Sequence, residues 1–294
     1  VNLPEKSVKE FEFIESLKTF TKKDSLRGIG DDAVLVGKTL LALDQVVEGV
    51  HFTAGAPLEN IIFRLFTANV SDIAAMGGRA ENALLGIAIP PHIDKKKLSA
   101  AIQYACEHYG IDLVGGDTTS SKKHLFASLC VTGKPSAYIL ERNGARVGDD
   151  VFISRPVGGA AEMLARELAG EKIYDHYMFR AETELGRFLG EFGVNSCIDI
   201  SDGLGRDASH IAEASGVRMD LDPRLIPEYG VFDAVSSGEE FALLFTVSKS
   251  ASRELERLIH RDLNRPIYRI GDVNKGSGVY INGSSISERG YEHV

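Results

Sequence analysis

Asn69-Val70-Ser71-Asp72-Ile73-Ala74-Ala75-Met76-Gly77-Gly78 is the stretch on which the fold turns. It closes a helical pattern that Pro57 opens, with Leu58, Ile61, Ile62, Leu65, Ile73 and Met76 at helical intervals. The paired glycines end that pattern, because glycine enters the left-handed backbone region at little cost. Asp72 falls on the same stripe as Leu65 and Met76, where a simple core has no use for a carboxylate. Just downstream, Ala83 to Ile89 reads as a buried strand halted by Pro90-Pro91. A long helix followed at once by such a strand implies a sheet covered by helices.

The pattern continues on both sides. Upstream, Ala33 to Val36 and Leu40 to Val47 read as strands joined by a Gly37-Lys38 hairpin, and the capping-box spacing of Ser7 and Glu10 predicts a helix over about Val8 to Thr21. Downstream come a helix from Leu98 to Tyr109 stopped by Gly110, then strands at Ile111 to Val114 and Leu125 to Thr132. The polar, aperiodic stretch Lys134 to Asn143 marks a boundary. Beyond it follow a strand (Val151 to Ser154), a Gly158-Gly159 turn into an Ala- and Leu-rich helix, and a strand (Cys197 to Ile200) turning through Asp202-Gly203 into a helix that ends at Gly216. Strands at Val217 to Leu221 and Phe241 to Val247, a helix over Ser252 to His260 and an Asn282-Gly283 hairpin complete the chain. The expected fold is α/β (α+β) in two domains, residues 1–137 and 138–294, with no repeat and no low-complexity segment.

Of the 294 residues, 42 are acidic and 33 basic, a formal charge of -9. At 44% hydrophobic and 26% charged, the chain has a globular composition and not that of a disordered one. The acid excess argues against broad nucleic-acid binding, and no apolar run approaches the roughly 20 residues of a membrane span. Without a secretion-signal pattern at Val1 to Lys6, the expected location is cytoplasmic. Cys106, Cys130 and Cys197 are far apart and suggest neither disulfides nor a zinc ribbon.

The acids themselves are oddly distributed. Gly30-Asp31-Asp32, Gly116-Asp117 and Asp199-Ile200-Ser201-Asp202-Gly203 read as tight turns, while Asp44 ends the apolar run Leu40 to Leu43 and Asp72 lies within the long helix. A lone buried carboxylate costs several kcal/mol, so each needs a cation, a donor set or a raised pKa. Hard oxygen ligands on turns are what magnesium requires, and magnesium commonly accompanies phosphate. The turn between Asp199 and Asp202, running from strand into helix, is expected to offer free backbone N–H groups to phosphate. Asp149, Asp150 and Asp272 read as ordinary turn acids. The Walker loop, the kinase H-R-D set, a G-x-G-x-x-G after the first strand, H-E-x-x-H and G-x-S-x-G are all missing. These features together predict a multi-metal phosphate site on a less common scaffold.

Eight pieces in order resemble the thiamine-monophosphate kinase family, of the superfamily that includes aminoimidazole ribonucleotide synthetase, selenophosphate synthetase and a hydrogenase maturation factor. They are Gly28 to Ala33, Asp44 to Phe52, Asn69 to Gly77, Gly115 to Thr119, Arg142 to Asp149, Asp199 to Leu204, Ser237 to Phe241 and Gly290 to His293. The resemblance implies magnesium ligation by Asp32, Asp44, Asp72, Asp117, Asp199 and Asp202 with Asp31 nearby, nucleotide contacts from Gly116, Asp117, Arg142 and Ser201, and thiamine phosphate contacts from His51, Glu239 and Tyr291. Asp72, Asp117, Arg142 and Asp202 would carry catalysis, in which ATP phosphorylates thiamine monophosphate to the diphosphate with the help of several Mg2+ ions. The implied architecture is an N-terminal mixed sheet that pairs with its twin in a homodimer and a C-terminal α/β, sandwich-like domain that closes the site. Three departures from the family pattern stand out. Leu43 replaces a Ser or Thr. Glu240 replaces an Asp, a longer acid expected to shift any ligand by about one bond length. A His-x-x-Pro-x-Pro-Arg stretch is not recognisable at Asp175 to Ala181. Competing readings are a relative with another acceptor, such as an aminoimidazole ribonucleotide synthetase, and a non-catalytic nucleotide-binding paralogue.

Overall fold

A computed structural model describes residues 14, 16, 17, 20, 29–229 and 233–291. Most of the helix expected over Val8 to Thr21, together with Glu292 and His293, lies outside them. Strands β1 (Val34–Val36), β2 (Thr39–Val47), β3 (Gly78–Ile89), β4 (Asp112–Ser120) and β5 (Phe126–Pro135) form a five-stranded sheet in the order β1-β2-β5-β3-β4. All neighbours run antiparallel except β3 and β4, which are parallel and joined through helix α2 (Lys95–Tyr109). Helix α1 (Leu58–Ala75) and α2 cover one face of this sheet. Its core is built from Leu40, Val46, Ile62, Phe66, Ile73, Leu85, Leu129 and Val131. On the other face Leu43 and Leu84 stand exposed, and edge strand β4 is exposed along its whole length.

The second sheet comprises β6 (Asp149–Ile153), β7 (Ser196–Ile200), β8 (Arg218–Leu221), β9 (Ala242–Ser248), β10 (Tyr268–Asn274), β11 (Gly278–Ile281) and β12 (Ser284–Ser285), in the order β12-β11-β8-β10-β6-β9-β7. Helix α5 (Leu204–Ser215) packs Leu204, Ala208 and Ile211 on one face. Helices α4 (Thr183–Phe192) and α6 (Lys249–Leu263) pack Leu185, Leu189, Leu255 and Ile259 on the other, against Phe152 and Phe245. The fold is thus mixed α/β with two sheets. Helix α3 (Gly159–Leu168) and a short 3-10 turn, Asp175–Met178, bridge between them.

The two halves meet where α1 crosses α4. A Cβ on Gly186 would stand 2.3 Å from the Ala74 carbonyl oxygen, and one on Gly190 would stand 2.5 Å from that of Gly77. Only glycine permits this approach. Ala75, from the end of α1, joins the same core cluster as Leu185, Leu189 and Phe245.

Several expectations need correction. β3 starts at Gly78 and β4 runs on to Ser120, so Gly115-Gly116-Asp117-Thr118-Thr119 is strand and not turn. The cause is backbone pairing: Gly116 lies opposite Leu85 and Asp117 opposite Gly86, and a Cβ on Gly116 would meet the Leu85 carbonyl oxygen at 1.9 Å. The sequence pattern also fails to show α4, β10 and the 3-10 turn. Among the described residues no helix is long and apolar enough to cross a membrane.

Candidate active site

The motif in α1 explains the architecture of a cavity of about 740 Å³. Asn69 accepts the Asp44 N–H at 3.0 Å and donates to the Leu65 carbonyl at 2.9 Å, so it splices β2 onto the helix. Two residues on, the Ser71 hydroxyl donates to Asp199 at 2.5 Å, reaching the end of β7 in the other half. Asp72 shares a hydrogen bond with Asp44. One helical turn therefore gathers carboxylates from β2, β7 and the segment before β1. Oxygens of Asp32, Asp72 and Asp199 lie within 4.8 Å of one another, and Asp32 Oδ2 is buried with no hydrogen-bond partner.

Electrostatics reflects that crowding. Burial raises the carboxyls of Asp32, Asp44 and Asp72, and at Asp72 the charges of Asp44, Asp199 and Asp32 push further the same way. Asp199 is pushed up to about 8, by burial first and then by Asp32, against the hydrogen bond from Ser71. The counter-charge at Asp32 is Arg142, whose Nε and Nη2 donate to Oδ1 at 3.2 and 2.5 Å while its backbone N–H donates to Asp31 at 2.7 Å. Arg142 is thus a partly buried partner of the cluster and not a surface ion pair. Convergent oxygen donors with raised protonation and an orphaned oxygen fit a hard divalent cation.

Farther along the wall, the Arg64 guanidinium forms a two-pronged ion pair with Glu239, its Nε at 2.7 Å. Burial alone would raise Glu239, but Arg64, with His176 and His51, carries it below its usual range. Glu239 and Phe241 both have positive φ, 59° and 50°, which is strained for side-chain-bearing residues. Backbone bonds from their N–H groups to Ser201 and Ile200 hold that loop. His51 lines the same cavity and accepts the Val47 N–H on Nδ1 at 3.1 Å, and Tyr291, half exposed at the rim, donates its N–H to the Asp202 carbonyl.

Sequence expectation and geometry part at three places. The N–H groups of Ser201, Asp202 and Gly203, expected to be free for phosphate, all donate to Asp207 at 3.0–3.1 Å. Glu240 is not displaced into the cavity. It is buried and accepts from the N–H groups of Gly158 and Ala160 and from Ser237, so it caps α3. Asp31, Asp32, Asp44, His51, Asp72, Arg142, Asp199, Ser201, Asp202, Glu239 and Tyr291 all line the cavity, whereas Gly116 and Asp117 lie outside it on β4. Arg64, Asp207 and His176 are functional candidates that the motifs do not contain. Arg64 carries a signal, a charge inside Ile61-Ile62-Phe63-Arg64-Leu65-Phe66, two turns before Asp72 on the same face.

Comparison with known proteins identifies the family. Residues 30–134 match the family model described as AIR synthase related protein, N-terminal domain, and 146–283 match its C-terminal counterpart. The thiamine-monophosphate kinase of Pyrococcus abyssi is 32% identical over 308 residues, covering 95% of each chain. This chain belongs to the thiamine-monophosphate kinase family. As a member of that family it is an enzyme, a phosphotransferase. The Aquifex aeolicus thiamine-monophosphate kinase is 29% identical over 98% of this chain and 99% of its own length. A solved structure of AaThiL complexed with AMPPCP and TMP superposes with a TM-score of 0.87 at 28% identity, over 100% of this chain and 99% of that one.

Proposed function

We propose that the enzyme transfers the γ-phosphoryl group of ATP to the phosphate of thiamine monophosphate by direct in-line displacement, giving thiamine diphosphate and ADP. The observation that carries this reading is the convergence of Asp32, Asp44, Asp72 and Asp199 on one cavity wall beside Arg142. These four acids, with Asp31 and Asp202 on the same cavity, would hold several Mg2+ ions, which neutralise phosphate oxygens as charge shifts between them. The chain's own residues do the rest. Arg142 sets a fixed positive charge against Asp32 and, with Ser201, faces the nucleotide. His51, Glu239 and Tyr291 face the acceptor. The acceptor oxygen is already anionic near neutral pH, so no general base is needed, and catalysis reduces to alignment and charge balance.

Gly116 and Asp117 enter this scheme through a second copy. Strand β4 is an exposed edge, and Leu43 and Leu84 leave the adjoining sheet face apolar. A homodimer formed on that face would bury it and could bring Asp117 to a partner's cavity. Residues 1–137 then serve ATP and magnesium binding and dimerisation, and 138–294 close the site. Dependence on ATP and magnesium suits a cytoplasmic setting, with no role for nucleic acid.

Pure protein incubated with ATP, magnesium and either thiamine monophosphate or thiamine, with products separated by chromatography, tests the transfer. Thiamine diphosphate is expected from the monophosphate alone, and its absence rejects the assignment.

A further inference from the structure

One carboxyl oxygen organises the turn from β7 into α5. Asp207, buried in the first turn of that helix, takes the N–H groups of Ser201, Asp202 and Gly203 on Oδ2 at 3.1, 3.1 and 3.0 Å. An ordinary capping side chain accepts from N–H groups inside the helix it begins. Helix α5 starts at Leu204 with Gly203 as its cap. Asp207 therefore reaches backward, out of the helix, into the segment that carries Asp199, Ser201 and Asp202.

The carbonyls of the same peptide groups are engaged just as regularly. In a trans peptide the C=O of one residue and the N–H of the next point in opposite directions. Ile200, Ser201 and Asp202 accept on their carbonyl oxygens from the N–H groups of Phe241, Glu239 and Tyr291 at 2.9, 2.7 and 2.9 Å. Three successive peptide planes thus each stand between Asp207 and one N–H of a neighbouring segment, and Glu239, Phe241 and Tyr291 line the cavity. Both neighbouring segments press on the turn through glycine. A Cβ on Gly238 would lie 2.7 Å from the Ser201 carbonyl oxygen, and one on Gly290 would lie 2.8 Å from that of Asp202. The positive φ of Glu239 and Phe241 persists only where the surroundings over-determine it, and these bonds supply part of that constraint.

We propose that Asp207 is a positioning residue for the acceptor. By fixing the tilt of three peptide planes it sets where Glu239 and Tyr291 stand relative to Ser201, Asp199 and Asp202. Asp207 itself does not line the cavity, so it acts through the turn alone. Without an oxygen at the Oδ2 position the three inward N–H groups lose their bonds and the planes can rotate. The outward carbonyls then no longer hold the acceptor-facing segments in place. The inference rests on thiamine monophosphate being the acceptor and on Tyr291 facing it.

Calorimetric binding of thiamine monophosphate, with magnesium and a non-hydrolysable ATP analogue present, tests this in the wild type, Asp207→Ala, Tyr291→Ala and the double variant. Tyr291→Ala should weaken the acceptor when Asp207 is intact. Asp207→Ala should weaken it by about tenfold or more, and Tyr291→Ala should then add little, because residues that act through one another are not additive. Asp207→Asn keeps an oxygen of the same reach and should recover most of the affinity. A variant that is merely less stable would lower the melting midpoint and leave the losses additive. Equal fold losses from Tyr291→Ala in both backgrounds overturn the proposal. No loss from Asp207→Ala or from Tyr291→Ala alone, or an Asp207→Asn as weak as Asp207→Ala, also overturns it. If Asp207→Ala does not fold, Asp207→Glu, which moves the carboxyl by about one bond length, must weaken the acceptor in its place, and unchanged affinity there overturns the proposal. A wild type that binds no thiamine monophosphate does so too. A wild type whose acceptor binding shows the expected non-additivity but which forms no thiamine diphosphate sustains this inference and rejects the transfer.

Discussion

Asp72 shows what a single residue can disclose. A carboxylate on an apolar helical stripe is expensive, and the anomaly is visible in the amino-acid order alone. Asp207 left no such trace, because an acid in the first turn of a helix is ordinary, and only the folded turn shows its carboxylate taking three N–H groups. The acidic cluster also sets a pH dependence. Its carboxyls titrate higher folded than unfolded, so the folded state binds more protons between the ordinary carboxyl range and about pH 8. Stability of the metal-free protein must then fall as pH rises through that window. Thermal melts without magnesium should show a lower midpoint at pH 8 than at pH 6, and magnesium should restore it. Asp72→Asn removes one repelling charge. It is expected to raise the metal-free midpoint at pH 8 by a few degrees, on the order of 1 kcal/mol, and to abolish thiamine diphosphate formation. A lowered midpoint with full activity would reject the role given to the cluster.

Among the elements, strong periodicity was legible and special geometry was not. Helix α1 and the β7-to-α5 turn follow from apolar spacing and glycine stops. Helix α4 was hidden by Gly186 and Gly190, poor helix residues whose worth lies in the close crossing with α1. Strand β10 was hidden by Gly271, at an irregularity in its pairing with β6 where a Cβ would meet the Asp220 carbonyl at 2.4 Å. β4 was cut short because a Gly-Gly-Asp-Thr-Thr run looks like a turn until β3 pairs with it. The crossing invites a test, since Gly186→Ala sets two effects in opposition. Helix propensity favours alanine by about 0.8–1.0 kcal/mol. The 2.3 Å approach to a backbone oxygen should outweigh that, with overpacking costing about 1–3 kcal/mol. A lower urea midpoint is expected, and a higher one would mean that the helices separate cheaply.

For the whole molecule, the sequence carried most strands of both sheets, most of the helices on them and the acids that line the cavity. It could not reveal that Asp117 stands apart from the other acids, because distance within one chain is a property of the folded sheet. If Asp117 serves a partner's cavity, mixing the inactive variants Asp72→Ala and Asp117→Ala should restore activity. Random reassortment makes half the dimers mixed, each with one intact site, so about a quarter of wild-type turnover is expected. No recovery after proven subunit exchange would assign Asp117 to its own chain or to neither.

The glycine-lined crossing bears on how this kind of protein can change over generations. Two family models divide the chain between residues 134 and 146, yet Ala75 belongs to the second half's core and Gly186 and Gly190 fit only against the end of α1. Recombination that joined the first half of one relative to the second half of another would mismatch the two faces of this contact. Helices α1 and α4 must therefore be inherited as a pair, although more than a hundred residues separate their beginnings.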